Sequence, residues 1–145
     1  MIIESEFRFN ASRQAVYEGL QDPEILAQAL PGTERLELVG ECLYTGEMVV
    51  SVGPVTAARF DVSVELVDLV EPESFSMIVG GKGKVGFVEG KADVRLEDCG
   101  EECLMIYRAE LGIGGRVASV GQRLLDSVGK TMSNRGLKAV DKMLQ

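Results

Sequence analysis

Few residues in this chain could do chemistry, and histidine is missing altogether. Without it there is no Ser-His-Asp or Cys-His nucleophile arrangement and no imidazole to ligate a metal. The stretch nearest to a metal or redox motif is Cys99-Gly100-Glu101-Glu102-Cys103. Two thiolates without a second pair make half a zinc site, and Asp98-Cys99-Gly100 reads as a β-turn. Cys42 leaves an odd thiol count, so no structural disulfide is expected. General acid–base work at neutral pH needs a carboxylate or lysine with a strongly shifted pKa. No paired carboxylates fall at adjacent inward positions, and the only phenols are Tyr17, Tyr44 and Tyr107. Arg59, Arg108, Glu47, Asp61, Glu65 and Glu110 lie in alternating segments, where charge marks the solvent face. Arg123 suits either a surface pair with Asp126, three residues on, or a cation at the edge of a ligand cavity.

The glycines are the other candidates. Gly112, Gly114 and Gly115 permit a sharp turn from strand to helix. They could also form a mouth where free N–H groups meet a polar headgroup, but no Lys-Ser/Thr follows in P-loop spacing. Gly121 and Gly129 fall inside the apolar repeat of the last third, where each costs a helix about 1 kcal/mol relative to Ala. Close approach of a sheet or of a ligand would offset that cost.

These residues need elements to position them. From Ile113 to Leu144, apolar residues recur at Val117, Val120, Leu124, Val128, Met132, Leu137 and Val140, which predicts one amphipathic helix. At roughly 28 residues it would be about 42 Å long. Upstream, Ile3, Ser5, Phe7 and Phe9 alternate with charged residues, predicting a strand over about residues 2–9. Ser12 and Asp22-Pro23 are N-cap signals for two short helices, separated by a break at Gly19. From Thr33 to Leu111 the sequence reads as about six strands joined by short turns. Phe60, Val62, Val64 and Leu66 share one face of the longest, and the alternation slips between Tyr107 and Ala109. Strands so connected pair antiparallel with their neighbours. The fold class is α+β: about seven strands in a curved antiparallel sheet wrapped around a long C-terminal helix, with two short helices after strand one. Residues 1–145 make one domain.

The net charge of −8 is unevenly placed. Residues 116–145 carry six bases and two acids, a net +4, which leaves −12 on the rest. An acidic body excludes duplex nucleic acid as a partner. The basic helix presents a solvated face, or meets an anionic surface. No run of about 18 apolar residues occurs, and the start lacks a basic region followed by an apolar stretch. A cytoplasmic location is expected.

The element order is that of the helix-grip fold of the START/polyketide-cyclase-like superfamily. More specific segments are Ala29-Leu30-Pro31-Gly32, Val52-Gly53-Pro54-Val55 before Ala58-Arg59-Phe60, Gly81-Lys82-Gly83 before Gly86, and above all Gly114-Gly115-Arg116-Val117-Ala118-Ser119-Val120-Gly121-Gln122-Arg123-Leu124-Leu125. With these the chain resembles the carbon monoxide dehydrogenase G-subunit family over nearly its whole length. The resemblance implies an accessory protein of molybdenum-containing hydroxylases, serving their maturation or membrane recruitment. It also implies binding of a hydrophobic ligand such as a lipid or quinone. The family often has an aromatic pair late in the last helix, where this sequence has Arg135-Gly136-Leu137. Some members carry a membrane-seeking C-terminal extension, whereas this sequence stops at Gln145, so at most peripheral membrane contact is expected.

The expected function is therefore non-catalytic binding of a hydrophobic small molecule, with no metal and no cofactor beyond a bound lipid or quinone. The cavity lining is expected from Phe60, Val62, Phe75, Met77, Phe87, Val117, Val120, Gly121, Leu124, Val128 and Gly129, and the mouth from Gly114, Gly115 and Arg123. The alternatives are a structural adaptor with a filled core that docks a partner enzyme, and a cyclase- or hydrolase-like enzyme.

Overall fold

The structure, a computed structural model, describes residues 1–145. Its elements in order are β1 (Ile2–Phe9), α1 (Arg13–Gly19), α2 (Pro23–Gln28), β2 (Thr33–Gly40), β3 (Leu43–Val52), β4 (Val55–Val70), β5 (Ser74–Gly83), β6 (Gly86–Cys99), β7 (Glu102–Gly114), a 3-10 turn (Arg116–Val120) and α3 (Gln122–Leu144). The strands form one antiparallel sheet in the order β1-β7-β6-β5-β4-β3-β2. Each hairpin partner is its sequence neighbour, and β1 closes onto β7, with Ile3 opposite Ala109 and Phe9 opposite Cys103. The caps form as their residue types dictate. Ser12 Oγ accepts the Ala15 N–H at 3.2 Å, and Asp22 Oδ1 accepts the Glu24 N–H at 2.9 Å.

Two expectations change. The pairing of β6 with β7 runs without a shift from Cys99↔Glu102 to Phe87↔Gly114. The alternation therefore does not slip. Cys103, Met105, Tyr107, Ala109 and Leu111 face inward, and Leu104 and Ile106 face out. A single bulky outward pair imitated a change of phase. The last helix is also shorter than expected, at 23 residues, or about 35 Å. Gly121 stops the preceding turn with φ 100° and is the N-cap of α3 rather than a residue within it.

The core is not one body. The main cluster gathers Phe9, Val16, Tyr17, Leu20, Leu26, Tyr44, Val64, Phe75, Leu96 and Val140, where α1, α2 and the end of α3 meet the sheet. A second holds Val55, Ala58, Phe60 and Val62. The third holds Val52, Val117 and Leu125 at the start of α3. Only 28 of the 145 residues are buried. The helix is seated at its ends, and its main sheet contacts are with β1 and β3 rather than with the central strands. Near its start Leu124 lies over Gly53, and Gly129 rests on Met1 and Ile3. Towards its end Asp141 Oδ1 accepts the Asn10 N–H at 2.8 Å.

Gly136 fixes how closely α3 can lie on α2. A β-carbon there would stand 2.3 Å from the Ala29 carbonyl oxygen. Alanine raises intrinsic helix propensity by about 1 kcal/mol, but here it must push backbone aside. We expect Gly136→Ala to destabilise the protein by about 1–3 kcal/mol, read as a lower urea midpoint. A raised midpoint would show that the α2–α3 contact is slack.

Candidate functional site

Alternation sorts the chemistry of the sheet. On β4 to β7 the inward positions are Ala58, Phe60, Val62, Val64 and Leu66, then Phe75, Met77, Val79 and Gly81, then Val88, Gly90, Ala92, Val94 and Leu96, then Cys103, Met105, Tyr107, Ala109, Leu111 and Ile113. None of these carries a charge; Asp98, next after Leu96 in the alternation, is exposed at the turn of the β6–β7 hairpin. Arg59, Asp61, Glu65, Glu89, Lys91, Asp93, Arg95, Glu97, Arg108 and Glu110 all take outward positions. There they pair across strands, as in Arg59–Glu34 at 2.6 Å and Arg108–Glu110 at 2.6 Å. These exposed pairs contribute little stability each, but they leave no free strand arginine to turn inward.

The middle of the inner face is built from small residues. Ala92 and Ala109 are direct register partners, with Gly90 and Gly81 beside them. Ala92, Ala109, Leu111 and Val88 are only half-buried, and Met132 on the facing side of α3 is half-buried too. None of these five belongs to, or packs against, any of the three buried clusters. The separated clusters close the two ends of the grip. Between them, in the space between the small residues and the middle of α3, these apolar side chains stay half open to solvent.

The expected lining residues distribute unevenly around that space. Phe60 and Val62 are buried on β4 in the second cluster, and Val120 packs against that cluster and the third. Val117 is buried in the third cluster, with Leu124 and Val128 packed on it. Phe75 is core beneath α1, its ring 6.1 Å from Tyr17 in an edge-on contact. Met77 is half-buried, inward and beside Ala92. Phe87 does not line the space as expected. Its register opposite Lys82 and Gly114 puts it on the outer face, 45% exposed, with its ring over Gly114. Gly114 thus makes room for that ring, and Gly115, at φ 80°, turns the chain against the backbone of Gly86. Gly121 is exposed with nothing within 4 Å of where a β-carbon would be, so backbone conformation accounts for it. Gly129 is accounted for by the sheet, since a β-carbon would meet Ile3 Cδ1 at 3.0 Å and Met1 Cε at 3.1 Å. Arg123 is exposed and has no ion pair, because Asp126 accepts from Gln122 Nε2 at 2.8 Å instead.

Sequence reasoning missed Gly90, Ala92 and Ala109. Their signal was present as small residues where the alternation called for large ones.

The titratable groups elsewhere are structural. Tyr44 donates its hydroxyl hydrogen to the Gln21 carbonyl, and burial pushes its pKa up. Burial also raises Tyr17, with Glu71 adding to the effect. Cys99 and Cys103 sit on opposite faces of their hairpin, Cys99 exposed and Cys103 fully buried, so their thiols do not converge. No three Cys, Asp or Glu side chains come together as metal ligands. On the outer face a shallow depression of about 810 Å³ is lined by Glu4, Ser74, Ser76, Asp93, Arg95 and Arg108 among others. Ser76 Oγ donates to Asp93 Oδ1 there at 2.6 Å. That depression lies across the sheet from the apolar interior.

A curved seven-stranded antiparallel sheet that grips a long C-terminal helix, with two short helices after the first strand, is the START-like helix-grip fold. The chain belongs to the carbon monoxide dehydrogenase G-subunit (CoxG) family, whose profile it matches over residues 5–145. Among solved structures it is similar to a conserved protein from Geobacillus kaustophilus, at 27% identity and a TM-score of 0.92, covering 99% of this chain and 95% of that one. A START superfamily protein from Mycobacterium smegmatis superposes at 10% identity and a TM-score of 0.72, covering 99% and 96%. The Zhui aromatase/cyclase from Streptomyces sp. R1128 does so at 15% identity and a TM-score of 0.70, covering 99% and 93%. These last two share the fold alone. Among curated proteins, none matches this chain. No helix is long and apolar enough to cross a membrane.

Burial raises the Cys103 thiol from 9.0 to about 11, chiefly by desolvating the thiolate. A native-state pKa raised in this way adds stability below about pH 9 that is lost as pH climbs towards about 11, because the unfolded thiol ionises first. Cys103→Ala should therefore lose less stability than the wild type between about pH 8 and about pH 10, by urea titration. In the native wild type a thiol reagent should modify Cys99 at once and Cys103 only after unfolding. Fast labelling of Cys103 would show the main cluster to be open.

Proposed function

We propose that this protein is a non-catalytic accessory protein of the cytoplasm that binds a hydrophobic small molecule, lipid- or quinone-like, between its sheet and its last helix. We propose further that it serves a molybdenum-containing hydroxylase, in maturation or in recruitment to the membrane. Membership of the CoxG family supports the accessory role, and the START-like fold supports a ligand-binding interior. The observation that carries the reading is the uncharged inner face, with small residues at its centre where large ones would fill the core. An apolar molecule in that space removes its own surface and that of Ala92, Ala109, Leu111 and Met132 from water, at about 25 cal/mol per Å² of apolar area. The same face tells against acid–base catalysis. It presents no carboxylate, lysine or arginine to a bound molecule, and its one phenol without a protein partner, Tyr107, has no general base beside it.

The six bases of residues 116–145 take no part in any of the nine ion pairs, all of which join strand residues. Arg116, Arg123, Lys130, Arg135 and Lys138 are exposed. This face gives an acidic partner surface somewhere to dock without disturbing the interior.

Filling the space tests the reading. Ala92→Phe and Ala109→Phe place a ring where the ligand would lie, and should cut binding of an apolar dye or a quinone by about ten-fold or more while circular dichroism is retained. Native mass spectrometry of wild-type protein from a lipid-containing extract should show a bound small molecule. A ligand-free mass together with no dye or quinone binding would overturn the proposal in favour of a filled-core adaptor.

A further inference from the structure

Two of the three tyrosines have structural employment, Tyr44 through its bond to Gln21 and Tyr17 through its contact with Phe75. Tyr107 differs. It faces inward on β7 between Met105 and Ala109, opposite Val94 on β6 and Ser5 on β1, and it is half-buried. Its hydroxyl makes no hydrogen bond within the protein and is reached by solvent, so it is free to meet a bound molecule. It is the one hydroxyl among the inward positions of the four central strands.

Its neighbours on β1 and α3 are also placed. The helix α3 meets β1 twice, where Gly129 rests on Ile3 and where Asp141 accepts from Asn10. From Ile3 to Phe9 the strand advances about 20 Å, and from Gly129 to Asp141 the helix advances about 18 Å, so the two run side by side between these anchors. Ser5 lies in the middle of that span. Its side chain points inward, yet the residue is exposed, unlike Ile3 and Phe9 on the same face. Ser5, exposed on this edge strand, lies directly across from Tyr107.

We propose that Tyr107 anchors the head of the bound molecule by donating its hydroxyl hydrogen, and that this head is a neutral carbonyl, as in a quinone, ketone or ester, lying on the β1 side beside Ser5 with the apolar body directed over Ala109 and Ala92. The head is neutral because no lysine or arginine faces the interior, and a carboxylate or phosphate taken in there would lose hydration with no countercharge. This inference rests on the ligand-binding reading above.

The test uses three probes on wild-type protein and Tyr107→Phe: a naphthoquinone with a short isoprenoid tail, a saturated fatty acid of matched length, and diphenylhexatriene, which carries no oxygen. We expect the wild type to bind the quinone and the hydrocarbon, and the fatty acid about ten-fold or more weakly than the quinone. Tyr107→Phe should lose about three- to ten-fold in quinone affinity, the scale of one hydrogen bond, with hydrocarbon affinity and urea midpoint unchanged. Unchanged quinone affinity in the variant overturns the inference while the cavity reading stands. So does an equal loss for quinone and hydrocarbon, or a wild-type preference for the fatty acid. Wild-type protein that binds neither quinone nor hydrocarbon overturns the cavity reading, and this inference with it.

Discussion

The structure depends on how α3 is held. The helix is fixed at its two ends, by Leu124, Leu125 and Gly129 near the start and by Gly136, Val140 and Asp141 near the finish. Its sheet contacts fall on β1 and β3. A helix supported this way spans the concave face without collapsing onto it. Dense packing is the norm in protein interiors, and the row of half-buried apolar residues beneath this helix departs from it. The glycine contact at Gly136 sets the spacing at one end. The hydrogen bond from Asn10 sets the register along β1.

Electrostatics follows from the same arrangement. Alternation sends the charges of β4 to β7 outward, apart from Asp98 at the exposed end of the β6–β7 hairpin, and each strand arginine finds a carboxylate across or along the sheet. The acidic excess of the body therefore stays on the convex surface, and the interior holds none of it. The bases of the last 30 residues are left over, on a helix whose other side faces the sheet. The apolar and the basic residues thus occupy opposite faces of one element. A ligand that changes how α3 sits would be felt on its outer face, as a change in population between existing arrangements.

The glycines show how one residue type serves unrelated ends. Gly121 is needed for its positive φ, Gly129 and Gly136 for the closeness of what they touch, and Gly114 for the ring that lies on it. Composition cannot separate these roles, because each depends on what stands opposite the missing side chain. The same holds for Gly90, Ala92 and Ala109. A small residue in a strand is ordinary until its cross-strand partner is also small and nothing fills the gap.

The sequence by itself determined the element order, the antiparallel pairing of neighbours, the caps at Ser12 and Asp22, and the sorting of charge from apolar side chain along each strand. All of these arise from local periodicity and local hydrogen bonding, which are written within a few residues. The family segment from Gly114 to Leu125 was legible for the same reason. Only the tertiary structure decided that Phe87 faces out, that the alternation in β7 does not slip, that α3 begins at Gln122, and that Tyr107 stands unpartnered across from Ser5. Each of these turns on register between strands or on the distance between a helix and a sheet. Such quantities are set by partners up to a hundred residues away, and no window of sequence contains them.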